Sequence, residues 1–237
     1  KKVGTIKMEV SRGNLPDVAF LKKVRKLATK KKIILIFDEC TSGFRQCLGG
    51  LHMKYKVYPD IAMFGKALGN GFAITSVIGK KSIMQKAGNS FISSTFWTER
   101  IGFAAGIGTL KLMKEKKSWE KIVKNGKYFN LMVENLALKH NLNIKISGIE
   151  SIAAFNFISK KNIAYKTFIT QEMLKKKYLA SNLIYLSIYH TKKVIDKYIK
   201  DLDPVFKKIS SFEKNNTNIK KFIRNKVCHQ TFQRLNS

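Results

Sequence analysis

The chain has 237 residues, 44% of them hydrophobic and 16 of them Phe, which is enough to close one large core or two modest ones and excludes wholesale disorder. No apolar run reaches the length of a transmembrane helix, and no signal-peptide pattern opens the chain. The net charge of +31, from 46 Lys+Arg against 15 Asp+Glu, would suit a nucleic-acid binder. The basic residues are instead scattered through every segment, as a genome rich in Lys and Asn codons produces, with no stripe beside an aromatic platform.

The chain opens on Lys1, and Val3 reads as the middle of a buried strand, so the start of the protein is expected to lie upstream. Residues 3–9 read as that strand and 11–14 as a loop. Pro16 marks a helix start, and Val18, Leu21, Val24, Leu27 and Ala28 recur at helical spacing up to Lys30. Residues 33–37 (Ile-Ile-Leu-Ile-Phe) are too short an apolar run for a helix and predict a parallel strand covered on both faces. It ends in Asp38-Glu39, at the strand end where open α/β sheets bind their ligands. Two more short strands are expected at 61–64, running into Gly65-Lys66, and at 74–78, closed by Gly79. Small residues (Gly102, Ala104, Ala105, Gly106, Gly108) predict a closely packed helix over 101–114, and a further helix covers 119–140.

Beyond it the pattern changes. Residues 144–157 read as strand, turn and strand around Gly148, 170–177 as helix and 183–188 as strand. Thr191 caps a helix whose apolar face carries Val194, Ile195, Tyr198, Ile199, Leu202, Phe206 and Ile209. From 213 onward a polar, Lys/Asn-rich and weakly ordered tail is expected. Cys40, Cys47 and Cys228 have no metal-ligand spacing and leave an odd thiol under any pairing, which fits a reduced, cytoplasmic protein and no metal site.

Three segments form a coherent set: residues 37–45 around Asp38-Glu39, residues 64–71 around Gly65-Lys66, and Ser93-Ser94-Thr95-Phe96. A lysine between small residues, just after a buried strand, is expected to be partly desolvated, which favours the free amine that a Schiff base requires. An aspartate at a neighbouring strand end can hold a pyridine nitrogen protonated. Hydroxyls and N–H groups at Ser94-Thr95, just before a helix, suit a phosphate dianion.

Residues 35–79 resemble the class III aminotransferases, through Asp38-Glu39 followed by Ser42-Gly43-Phe44-Arg45, then Pro59-Asp60-Ile61, then Gly65-Lys66-Ala67-Leu68-Gly69-Asn70-Gly71. The pattern is similar to the branch of glutamate-1-semialdehyde aminomutases in Gly43-Phe44-Arg45, in the Glu9 to Gly13-Asn14 spacing and in the run 95–100. The resemblance implies an α/β fold of the pyridoxal 5′-phosphate (PLP) transferase type I. Residues 1–118 would be the later part of the large domain, a parallel-rich sheet with helices on both faces. Residues 119–212 would form a small α+β domain and 213–237 a basic tail.

It further implies PLP as cofactor, with Lys66 as the Schiff-base lysine and proton carrier and Asp38 on the ring nitrogen. Cys40 would lie against the ring face, Thr41 near the ring hydroxyl, Thr95 at the phosphate bound by a partner subunit and Asn14 in a loop facing the cofactor. The implied partners are a small amino donor, a carbonyl acceptor and a second copy of the chain in a homodimer with shared sites, with no membrane or nucleic acid. Two features depart from the family pattern: Val10 stands where a proline usually follows Glu9, and Ile101-Gly102-Phe103 lacks the usual proline. Much of the family's phosphate and substrate surface would lie upstream of residue 1, so this stretch by itself is expected to be inactive. The alternative is a basic nucleic-acid-binding or scaffold protein that keeps the fold without the chemistry.

Overall fold

In the computed structural model, residues 3–11, 13, 17–93, 95 and 99–229 are described. The elements run β1 (Thr5–Glu9), α1 (Val18–Lys30), β2 (Ile34–Asp38), the single turn α2 (Leu51–Lys54), β3 (Ile61–Phe64), β4 (Ser76–Gly79) and a second single turn α3 (Lys81–Met84). The long helices α4 (Arg100–Lys116) and α5 (Ser118–Lys139) follow. Then come β5 (Ile144–Ser147), β6 (Ile152–Phe157), α6 (Asn162–Lys175), β7 (Leu183–Tyr185) and α7 (Lys192–Lys214). The chain divides into two compact units, Lys1–Val123 and Lys124–Ser237, the division falling within α5. Among the described residues no helix is long and apolar enough to cross a membrane.

The first unit holds a four-stranded sheet in the order β1-β2-β3-β4. The pairs β1–β2 and β2–β3 are parallel and β3–β4 is antiparallel. Parallel pairing of β2 with β3, with Asp38 opposite Met63, brings both carboxyl ends to the same edge of the sheet. Alternation separates the two faces. Leu35, Phe37, Ala62 and Phe64 are buried on one, whereas Ile36, Asp38, Ile61 and Met63 on the other are only partly buried. The run 33–37 is therefore a strand, but it is not covered equally on both sides. Val3, read as mid-strand, is 64% exposed and precedes β1.

The opposite end of this sheet is held by one carboxylate. Asp60, just before β3, accepts hydrogen bonds at Oδ2 from the Leu35 N–H (2.8 Å) and from Arg25 Nη1 of α1 (2.8 Å). Its Oδ1 pairs with Lys80 Nζ after β4 at 2.6 Å. Burial pushes this carboxyl up, but the Leu35 N–H, the Lys80 ammonium and the Arg25 guanidinium outweigh it and bring its pKa down to about 2. α1 itself starts where Asp17 accepts from the Ala19 and Phe20 N–H groups at 2.9 and 3.1 Å.

The second unit is an antiparallel sheet, β5-β6-β7, with α6 and α7 packed in one aromatic core. Phe155, Phe157 and Phe206 form mutual ring contacts at 5.4–6.3 Å, extended to Tyr165 through Phe157. Gly126 of α5 lets the helix touch the loop before β6, since a methyl group there would stand 1.8 Å from the Glu150 carbonyl oxygen. Thr191 caps α7, as its position predicts. His190 locks the preceding turn by accepting the Ser187 N–H at Nδ1 (2.9 Å), and burial holds its ring below the usual histidine range. Part of the expected tail is tied down: Ile219 is buried, Phe222 lies 4.8 Å from Phe212 and the Cys228 N–H donates to Thr167 Oγ1 at 3.0 Å. Two apolar residues at helical spacing are enough to anchor an otherwise polar run.

Because the Asp60 pKa is depressed, its contribution is fully present above the unfolded value near 3.8 and is lost as pH falls toward 2. Asp60→Asn is expected to lower the unfolding free energy of the first unit at pH 7 by about 2 kcal/mol, and by about half of that at pH 3, as read by urea denaturation at the two pH values.

Candidate functional site

After Asp38 the chain turns sharply, and Glu39 organises the turn from inside. Its carboxylate is fully buried. Oε1 accepts from the His52 N–H (2.8 Å) and from His52 Nδ1 (2.8 Å), and Oε2 accepts from Ser42 Oγ. Burial alone would raise the Glu39 pKa, but the bonds from His52 and Ser42 win and lower it. The Glu39 N–H also donates to the Met63 carbonyl of β3 at 2.8 Å. Gly43 permits the loop to close on β3, because a methyl group there would stand 2.7 Å from the Glu39 carbonyl oxygen and 2.8 Å from Phe64 Cδ1. Phe44, held at φ 61°, then packs its ring 5.2 Å from Phe64 in a cluster with Ala62 and Leu68.

The rigid turn presents three side chains at the open edge. Asp38 Oδ1 accepts the Cys40 N–H at 3.1 Å, and Oδ2 pairs with Lys7 Nζ of β1 at 2.9 Å. The Lys7 bond is the main cause holding the Asp38 carboxyl below its usual range. Cys40 lies beside Gly65, where an added methyl would meet its sulfur at 3.5 Å and Thr75 Cγ2 at 3.4 Å. Burial and the neighbouring Asp38 push the Cys40 thiol up, so it is the neutral thiol that faces the site. Thr41 Oγ1 accepts a hydrogen bond from Lys66 Nζ at 2.6 Å.

Lys66 opens a 3-10 turn straight after β3, with φ 45° in the left-handed region. For a non-glycine residue this costs on the order of 1–2 kcal/mol and is a form of strain that concentrates at functional positions. The strand-end placement follows the sequence, but the expected desolvation does not: Lys66 is exposed. Gly65, Leu68 and Gly69 around it are buried, while the left-handed backbone carries the side chain onto the open edge.

Asp38, Cys40, Thr41 and Lys66 are thus brought together. Thr95 is exposed, and no hydrogen bond among the described residues ties it to the other four. Asn14 lies outside the described residues. Lys7 and His52 are participants that sequence reading missed. Lys7 shares the strand phase of Glu9, and a β1–β2 register would have put it beside Asp38. His52 carried no local signal. No group of His, Cys, Asp or Glu among the described residues could hold a metal ion.

A family model described as aminotransferase class-III matches residues 12–227. The chain belongs to this family. Among its relatives, a glutamate-1-semialdehyde 2,1-aminomutase of Wigglesworthia glossinidia brevipalpis is 31% identical over 228 residues, covering 87% of this chain and 52% of that protein. A 3-aminobutyryl-CoA aminotransferase of Cloacimonas acidaminovorans is 31% identical over 177 residues, covering 74% of this chain and 42% of that protein. The chain spans about half the length, or less, of the curated relatives it matches. In solved structures the fold matches the PLP internal aldimine form of the Sphingopyxis sp. MTA144 FumI protein. That match has a TM-score of 0.83 at 20% identity, over 90% of this chain and 53% of that one. Nothing in these relatives supports the basic-scaffold alternative.

Glu39→Ala leaves the buried His52 N–H and Nδ1 and the Ser42 hydroxyl without this acceptor and is expected to destabilise the first unit by roughly 1–3 kcal/mol in urea denaturation, whereas Lys66→Ala at the exposed edge changes stability little.

Proposed function

We propose that this chain carries the cofactor anchor of a PLP-dependent aminotransferase or aminomutase that moves an amino group between a small amine and a carbonyl compound. The observation that carries this reading is the contact of the Lys66 amine with Thr41 Oγ1 at 2.6 Å, three residues beyond a carboxylate that its surroundings keep ionised. These residues fit the group. Asp38 offers an anion for a protonated ring nitrogen, Lys66 an amine for an aldehyde, and the Cys40 thiol beside Gly65 a small neutral surface for a ring face. When bound, PLP supplies the carbonyl carbon that captures amines and a protonated ring that withdraws electrons from the substrate's α-carbon.

The chain's own groups do the remainder. Asp38 holds the proton on the ring nitrogen, which a neutral residue in its place could not do. Nζ of Lys66 takes the proton from the substrate's α-carbon and returns it at the neighbouring position, a role its exposed, unbranched side chain has the reach for. Thr41 holds that amine through Oγ1 and would lie near the ring hydroxyl. The Glu39–His52–Ser42 network fixes the turn that carries Cys40 and Thr41, so that Lys66 meets a pre-set partner. Thr95 would reach the cofactor phosphate bound by a second copy, with Asn14 facing the cofactor from its loop, in a homodimer with shared sites. The free thiols Cys40, Cys47 and Cys228 are compatible with a cytoplasmic setting.

Adding PLP to the longest expressible form of the polypeptide is expected to give a visible absorbance band, and borohydride then leaves a cofactor-derived mass on the peptide containing Lys66. Lys66→Ala should lose both the band and at least about a thousandfold in amino transfer, the scale on which removal of a positioned proton-transfer group is felt. A variant lacking Lys66 that still turned over amine donors would refute this assignment.

A further inference from the structure

β1 and β2 run parallel with Lys7 opposite Ile36 and Glu9 opposite Asp38. Lys7 therefore projects to the same side of the sheet as Asp38, the side left partly open, and not to the side closed by Leu35 and Phe37. Its ammonium reaches Asp38 Oδ2 at 2.9 Å while the Cys40 N–H occupies Oδ1 at 3.1 Å. Both carboxylate oxygens are thus engaged by groups of the chain itself. The two partners differ in how easily they leave. The Cys40 N–H is fixed by the backbone turn, whereas the Lys7 side chain is 54% exposed against 20% for Asp38. A lysine on a half-open strand commonly pairs with the nearest carboxylate without consequence. Here that carboxylate is the one on which the cofactor reading depends, and the oxygen it takes is the one left free by the backbone.

We infer that Lys7 is a displaceable counter-ion for Asp38: it occupies Oδ2 in the cofactor-free protein and gives that oxygen up to the ring nitrogen when PLP binds. This rests on the PLP reading above. Lys7 is a positioning residue that acts only through Asp38. Two cations competing for one oxygen make cofactor binding weaker than it would be without the lysine. Since exposed ion pairs are worth little, the competition amounts to roughly a two- to fivefold effect on cofactor affinity.

Competitive acylation of lysines with acetic anhydride, read peptide by peptide in a mass spectrometer, tests this without using activity. In the cofactor-free protein, Lys7 should react several-fold more slowly than it does in Asp38→Asn. With one equivalent of PLP and borohydride, Lys66 should become blocked while Lys7 accelerates to the rate seen in Asp38→Asn. If Lys66 is blocked and the Lys7 rate stays unchanged, the exchange is refuted and the cofactor reading stands. If Lys66 is not blocked, the cofactor reading fails and takes this inference with it. Lys7→Met, a change at an exposed strand position, supplies the second measurement. At limiting PLP the trapped fraction on Lys66 should rise about two- to fivefold, and an equal or lower fraction would overturn the proposal.

Discussion

Asp60 binds the sheet of the first unit at its amino-terminal edge, and the geometry at the other edge follows from that. One buried carboxylate takes the Leu35 N–H at the start of β2, the Arg25 guanidinium on α1 and the Lys80 ammonium after β4. These contacts fix where β3 begins relative to β2. Because side chains alternate along a strand, a slip of one residue would turn Asp38 to the closed face beside Ala62 and Phe64 and turn Phe37 out of it. With the register held, Asp38 lies opposite Met63, and the turn after β2 meets the turn after β3.

At that meeting point rigidity and exposure are divided between neighbours in sequence. Glu39, Ser42 and His52 are buried and saturated with hydrogen bonds, and Gly43 and Phe44 press the turn onto Phe64. Asp38, Cys40, Thr41 and Lys66, interleaved with them, face outward. A reactive group is placed accurately when the backbone that carries it and the partners that hold it are fixed, and the buried neighbours supply that support here. The left-handed backbone at Lys66 is part of the same arrangement, since it carries the amine toward Thr41 on the open edge.

Much of this was legible in the sequence, for identifiable reasons. The apolar runs at 33–37 and 61–64 are strands because they are too short for helices and end in carboxylate or glycine, and those ends mark the candidate site. Thr191 is a cap because only its hydroxyl precedes the long amphipathic face of α7. α6 begins at Asn162, eight residues before its expected start, because Ile163, Tyr165, Phe168, Ile169 and Met173 do not share one narrow stripe. The exposure of Lys66 and the partnership of Lys7 with Asp38 escaped for a common reason. Both depend on one sheet face being more open than the other, which a continuous apolar run does not reveal. His52 escaped because its partner, Glu39, lies 13 residues away across a loop.

Residues 38–46 and 64–70 are proposed to act as one cofactor-binding unit built on a fixed strand register. Amide hydrogen exchange with and without PLP measures this directly. Added protection is expected to be confined to those two segments and to β1 beside them, with the second unit's β5-β6-β7 sheet unchanged. Protection that rises elsewhere while residues 38–46 and 64–70 exchange as before would contradict it.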